Sequence, residues 1–477
     1  MSNQNPQPIV KRRRWRPWQI LCLVALLLIV GFYCYSTIRQ AQAEARLRAL
    51  ISEIEKTDPL WKLSDLEAEY HKLLISPLFL RCVAAVPPGY RGWAGDDITT
   101  RAGALDYHPE GRDYNVRFPD EYFKILKERI TDVNVLPMRQ ALLELAQEPE
   151  GYRLPEDKRK TLNHFQDARV VANKIYDESI YAALTGDGDH VITAFQMAMN
   201  NARLLEQRPG VLDLLVASPL RHLGLTNVNK ALALSSLTEP QLKRLQSILN
   251  QQTAATVDQV LKCCRANFFD EWESAKTDSQ KRSDFIKVYT NPPDSNGTWK
   301  EYVQYWIDRI RFEFVLGSLT TTQAELLEIT NQALALNATK PSQLLPYLQQ
   351  QKLNSNNVLL KNSLDFSEKL VSVHIRYQAL VVSLRAALAC ERYRLAQGKW
   401  PASLDVLVPQ YLPVVPLDPF SGQPLLYRQL PDGVVIYSVG DNRVDDQGDV
   451  LEITGTPKDR GTRLFNPELR GKSYETK

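Results

Sequence analysis

The chain has 477 residues, 44% hydrophobic and 24% charged, a composition that suits two or three domains with proper cores and excludes an intrinsically disordered chain. Its formal charge of +3 is concentrated at one end: Lys11, Arg12, Arg13, Arg14 and Arg16 stand in the first seventeen residues, leaving 53 basic against 55 acidic residues elsewhere. A remainder so close to neutral carries no global basic field, so nucleic acid is not an expected partner.

The basic tail, residues 1–17, leads into WQILCLVALLLIVGFYCYSTI, residues 18–38, which holds no charged residue. At ~1.5 Å per residue this stretch spans the ~30 Å hydrocarbon layer. Positive charge on its N-terminal side, with Trp15, Trp18, Tyr33 and Tyr35 at the interfaces, predicts a single-pass anchor with a cytoplasmic N-terminus. The rival reading is a cleaved signal peptide, because Ala41, Gln42 and Ala43 form an A-x-A site; the apolar run is longer than the roughly 7 to 15 residues usual for such a peptide. Of the six cysteines, Cys22 and Cys34 fall in the span, and Cys82, Cys263, Cys264 and Cys390 are too few for a disulfide scaffold.

Residues 39–82 read as a helical stalk. Ala43, Leu47, Leu50 or Ile51, and Ile54 share one helical face, Pro59 ends the helix, and Ser64 with Glu67 has capping-box spacing for a second one. Residues 83–120 are rich in Gly, Pro, Asp and Tyr and read as loop. Residues 121–365 read as a helical body. Ala168, Val171, Ile175, Ser179 and Ala182 line one helix and Val191, Ala194, Phe195, Ala198, Ala202 and Leu205 the next, with T-G-D-G-D between them, which predicts an αα-hairpin. Further helical stretches in series suggest an irregular repeat-like array or bundle, although no repeat consensus is present. In residues 366–452 a long helix with Phe366, Leu370, Val373, Tyr377, Leu380 and Leu384 on its seam ends near Gly398 and gives way to short strands, an α+β unit followed by a tail at 453–477.

The order ACERYRLAQGKWPASLDVLVPQYLPVVPLDPFSGQPLLYR followed by VVIYSVGDNRVDDQGD resembles the C-terminal part of the major pseudopilin of type II secretion systems. The whole chain also resembles a group of uncharacterised bacterial single-pass membrane proteins that share the stretch from Thr57 to Ala68. The fold class expected is therefore mainly α, with a transmembrane helix, a helical-hairpin body and a small pseudopilin-like α+β domain. Unlike a pseudopilin, the span has no leader motif and no glutamate after it, which implies a module reused as a surface domain rather than a filament subunit. The pseudopilin resemblance implies structural calcium in the loop after Y-S-V-G, with Ser438, Asp441, Asp445, Asp446 and Asp449 in the matching region.

No G-x-S-x-G, S-x-x-K or H-E-x-x-H motif occurs, and His190 beside Asp187 and Asp189 is read as part of an acidic helix start rather than as a metal pair. The expected role is a noncatalytic scaffold or interaction protein of the bacterial envelope, bulk extracytoplasmic, meeting the lipid bilayer and envelope proteins such as secretion or pilus-like machinery. The competing expectation is an envelope hydrolase working from residues 83–120 through Asp96, Asp97 and His108.

Overall fold

A computed structural model describes residues 17–87, 116–117, 120–155, 161–251, 256–290, 298–304, 307, 319–450 and 458–473. Asp96, Asp97 and His108 lie outside these residues. The chain is mainly helical with a small sheet, and it divides into two compact units, residues 1–59 with 272–328 and residues 60–271 with 329–477.

In the first unit, α1 (Pro17–Thr57) runs unbroken through the apolar stretch and the segment after it, and stops where Pro59 forbids continuation. It is long and apolar enough to cross a membrane, and its apolar window buries nothing inside the protein. Beyond that window the expected face is found, with Ala43, Leu47 and Ile54 buried. Arg46 pairs with Glu328, and Gln40 donates to the Thr320 hydroxyl at 3.2 Å.

The second unit begins with α2 (Leu63–His71) and α3 (Pro77–Ala84), which correct the stalk reading. Phe79 and Cys82 of α3 belong to the main core, and Trp61 is buried edge-on against Phe269, ring centroids 4.8 Å apart. The capping box is not formed: Lys62 takes the cap position of α2 without a side-chain bond, whereas Ser76 caps α3 by accepting the Phe79 N–H at 3.0 Å. Two short parallel pairs join distant segments, β1 (Leu74–Ile75) with β3 (Tyr152–Arg153) and β2 (Val116–Arg117) with β7 (Lys472–Ser473).

Helices α4 (Asp120–Thr131) and α5 (Leu136–Leu145) precede the predicted hairpin, α6 (Thr161–Thr185) and α7 (Gly188–Glu206). Gly186 turns it at φ +73°, and Asp187 caps α7 by accepting the His190 N–H at 3.0 Å. Next comes α8 (Val211–Leu234), whose Gly224 lets it approach α7; a Cβ there would meet Met199 Cε at 2.4 Å. Further helices among the described residues are α9 (Glu239–Gln251), α10 (Val257–Thr277), α11 (Ser279–Thr290), α12 (Leu319–Thr339), α13 (Leu344–Asn354) and α14 (Val358–Gln397).

Gly398 closes α14 in the left-handed conformation, as expected. The helix packs on an antiparallel sheet of β4 (Leu426–Leu430), β5 (Gly433–Ser438) and β6 (Arg460–Phe465), with β5 in the middle. Two boundaries change. The helix starts before Phe366, and the third strand lies within the stretch read as a tail, because Arg460, Thr462 and Arg463, half of its residues, hide a strand from a hydrophobic count. The sheet is also not a self-contained unit. Val434, Ile436 and Leu464 share one continuous core with Leu384 and Leu388 of α14, Phe195 of α7, Val228 of α8 and Phe79 of α3.

Candidate functional site: a cationic cleft

Helices α6 and α8, the strand β6 and Leu380 of α14 enclose a cleft of about 730 Å³, within the usual size range for small-ligand sites. All of its described lining belongs to the second unit. Arg169, Asn173 and Tyr176 come from α6, and His222, Thr226, Asn229 and Lys230 from α8. Asp459, Arg460 and Arg463 come from the start of β6, while Leu215, Val216, Pro219, Leu220 and Phe465 supply apolar wall. Pro219 sits inside α8, where it cannot donate the helical bond to the Leu215 carbonyl, and this disturbed turn faces the cleft.

Among the described residues the cleft is lined by four cations and one carboxylate, and that carboxylate is engaged by backbone. Asp459 is buried and accepts the backbone N–H groups of Gly448 at 2.8 Å, Asp449 at 3.2 Å and Asp446 at 3.4 Å. Burial raises its pKa, against the pull of those donors. The cations are held but keep donor capacity. Arg460 reaches Asp441 at 3.4 Å and Arg463 reaches Asp432 at 2.5 Å, yet the Nε–H of each is buried without a hydrogen-bond partner. Lys230 donates to the Tyr176 hydroxyl at 3.3 Å. His222 is open to water but walled by protein, and desolvation, then Arg460 and Arg376, lower its pKa. A neutral imidazole beside fixed guanidiniums can still donate one hydrogen bond. The arrangement suits an acidic group.

The five loop residues predicted as calcium ligands do not converge. Ser438 donates to buried Asp418 at 2.6 Å, and Asp441 accepts from Arg376 at 2.8 and 2.9 Å as well as from Arg460. Asp445 accepts the Tyr437 hydroxyl at 2.9 Å, and Asp446 the Asn442 amide at 2.6 Å. Asp449 offers its backbone N–H to Asp459. Among the described residues no three His, Cys, Asp or Glu side chains are grouped to hold one ion. The residues present therefore do not fit a calcium shell in this geometry. The organiser of the loop is instead Asp418, which also accepts from the Phe420 N–H at 2.8 Å, the Val439 N–H at 3.2 Å and the Ser421 hydroxyl at 2.9 Å.

His190 likewise meets neither Asp187 nor Asp189 through its ring; Nε2 lies 3.0 Å from Glu178, in a buried network with Arg139 and Lys174. The thiols are not poised nucleophiles: burial pushes Cys82 and Cys264 up to about 12.

Sequence reasoning passed over the cleft because its residues come from four separated segments with no common motif. The only local signal was the pair Arg460 and Arg463 in a stretch that begins with Lys458 and Asp459. Fold and site together define a mainly helical chain with one helix apolar enough to cross a membrane and a cationic cleft in its second unit. No protein-family model, curated protein or solved structure matches the chain.

Proposed function

We propose that the chain is a noncatalytic, membrane-tethered binding protein of the bacterial envelope, and that its cleft takes an acidic group. The observation that carries this reading is the cleft's charge balance. Among the described residues four cations line it, two with unused buried donors, while the one carboxylate is engaged by backbone. Charge-assisted bonds to such donors contribute about 1.5–3 kcal/mol each, enough to select an anion over a cation. The apolar part of α1 supports the tether, with the N-terminal cations arguing for a cytoplasmic start.

The test uses the full chain in zwitterionic lipid nanodiscs, with empty discs subtracted, titrated with octyl phosphate and with octylammonium. Octyl phosphate should bind and octylammonium should not. Lys230→Gln and the exposed-site change Arg169→Glu should each weaken binding roughly ten-fold, the loss of one charge-assisted bond. Equal binding of both amphiphiles, or indifference to both changes, would refute the reading.

A docking role for a protein of secretion or pilus-like machinery is the second reading, favoured by the packing of α14 over β5 and β6 followed by the loop after Y-S-V-G, the element order of a pseudopilin. Crosslinking in native membranes with Asn442→Lys and the charge reversal Arg443→Glu, both at exposed positions, tests it; unchanged partners would count against it. Deleting residues 366–452 is not a usable test, since it removes core side chains of the whole second unit.

A further inference from the structure

We infer that the ligand of the cleft is a single-chain amphiphile, one acidic headgroup on an alkyl body, an inference that rests on the anion-binding reading of the same cleft. The lining changes character along α8. Leu215, Val216, Pro219 and Leu220 make its first half wholly apolar, whereas His222, Thr226, Asn229 and Lys230 bring polar groups among Leu223 and Ala233 in its second. From Leu215 to Lys230 the helix advances ~22 Å at ~1.5 Å per residue. That is room for a headgroup and a chain about as long as one ~15 Å leaflet of hydrocarbon. The cations of β6 sit on the polar half: Thr462, between Arg460 and Arg463, donates to Asn229 at 3.2 Å.

A flat base or a glycan fits less well. The two aromatic rings of the cleft are buried and each already has a cation over it, Lys230 at 5.3 Å from the Tyr176 centroid and Arg463 at 5.2 Å from that of Phe465, so a base would have to compete for them. The leucine, valine and proline wall would face a sugar's hydroxyls with no partner for them. An alkyl chain asks nothing of that wall except exclusion of water.

The prediction is a chain-length law. In nanodiscs with empty discs subtracted, hexyl, octyl and decyl phosphate should bind the full chain about four-fold more tightly per added methylene, and inorganic phosphate should bind weakest. Leu215→Glu places a carboxylate at the apolar end on a residue 40% exposed, where the fold should tolerate it, and should flatten the series. Anion-selective binding that does not depend on chain length, or alkyl phosphates no tighter than inorganic phosphate, would overturn the amphiphile and leave the anion site standing. Octyl glucoside bound as tightly as octyl phosphate would overturn both.

Discussion

The second unit treats charge in two opposite ways, in its interior and in its cleft. In the interior the strongest pairs close one charge on another. Arg470 grips Glu391 through two bonds of 2.8 and 2.9 Å, with Arg394 adding a third at 2.7 Å, and Glu391 is fully buried. Arg221 closes on Glu206 in the same bidentate way below the surface, and Arg139 on Glu178. In the cleft the matching acid is withdrawn and donors remain. Buried charge that is complete is architecture, because a ligand could only compete with an existing partner. Charge left with spare donors beside an apolar wall is where a ligand gains most.

The most severe way to break the comparison is to leave an interior charge incomplete. Glu391→Ala strips two guanidiniums of their carboxylate and should cost about 3–5 kcal/mol, read by chemical denaturation of the full chain. Burial pushes the Glu391 pKa up, but the bonds from Arg470 and Arg394 outweigh it and leave the carboxyl below its ordinary value. This contribution is therefore present above the unfolded value near 4.5 and lost as pH falls further. A cleft change such as Arg169→Glu should leave stability within about 0.5 kcal/mol while altering ligand affinity, the opposite signature. A large stability loss from Arg169→Glu would erase the distinction.

The same contrast explains what was legible in the sequence. Periodicity found α1, the hairpin of α6 and α7, and the end of α14 at Gly398, because each depends on local spacing and caps. The shared core was not legible: Val434 and Phe79, 355 residues apart, belong to one core, and no local pattern records it. The strand β6 was missed because three of its six residues are polar, two of which, Arg460 and Arg463, line the cleft. Of the loop residues singled out, Asp441 and Ser438 do have strong partners, but these are Arg376 and Asp418, set by tertiary contact. Asp418 itself, in L-D-P-F, looked like an ordinary turn residue.

Asp213 lies between the two regimes and sharpens the comparison. It is buried in the first turn of α8, and its nearest cation, Arg208, stays at 3.7 Å. Desolvation outweighs that partner and raises its pKa to about 6. Because the folded value lies above the unfolded 3.8, the native state holds the proton more tightly. The resulting stability is present below 3.8 and lost as pH rises through about 6. Asp213→Asn, which mimics the protonated form, should melt above wild type at pH 7.5 and level with it near pH 4. An Asp213→Asn protein that melts lower at pH 7.5 would mean that the Arg208 pair outweighs burial, and would move Asp213 into the class of Glu391.

The smallest effect is expected at the aspartate loop, whose carboxylates are divided among several protein donors. Asp418→Ala should be felt, since it frees the Ser438 hydroxyl and leaves the buried N–H groups of Phe420 and Val439 without an acceptor, a loss of about 1–3 kcal/mol. Calcium should do far less. Binding would require Asp441 to give up Arg376 and Arg460, or Asp445 to give up the Tyr437 hydroxyl, so the ion would exchange bonds rather than add them. Melting midpoints with calcium and with chelator should therefore agree within about 1 °C, below what a 1 kcal/mol change produces in a domain of this size. A rise with calcium that disappears in Asp445→Asn would show that the loop rearranges around an ion, and would place this surface in a third class, charge completed by a metal.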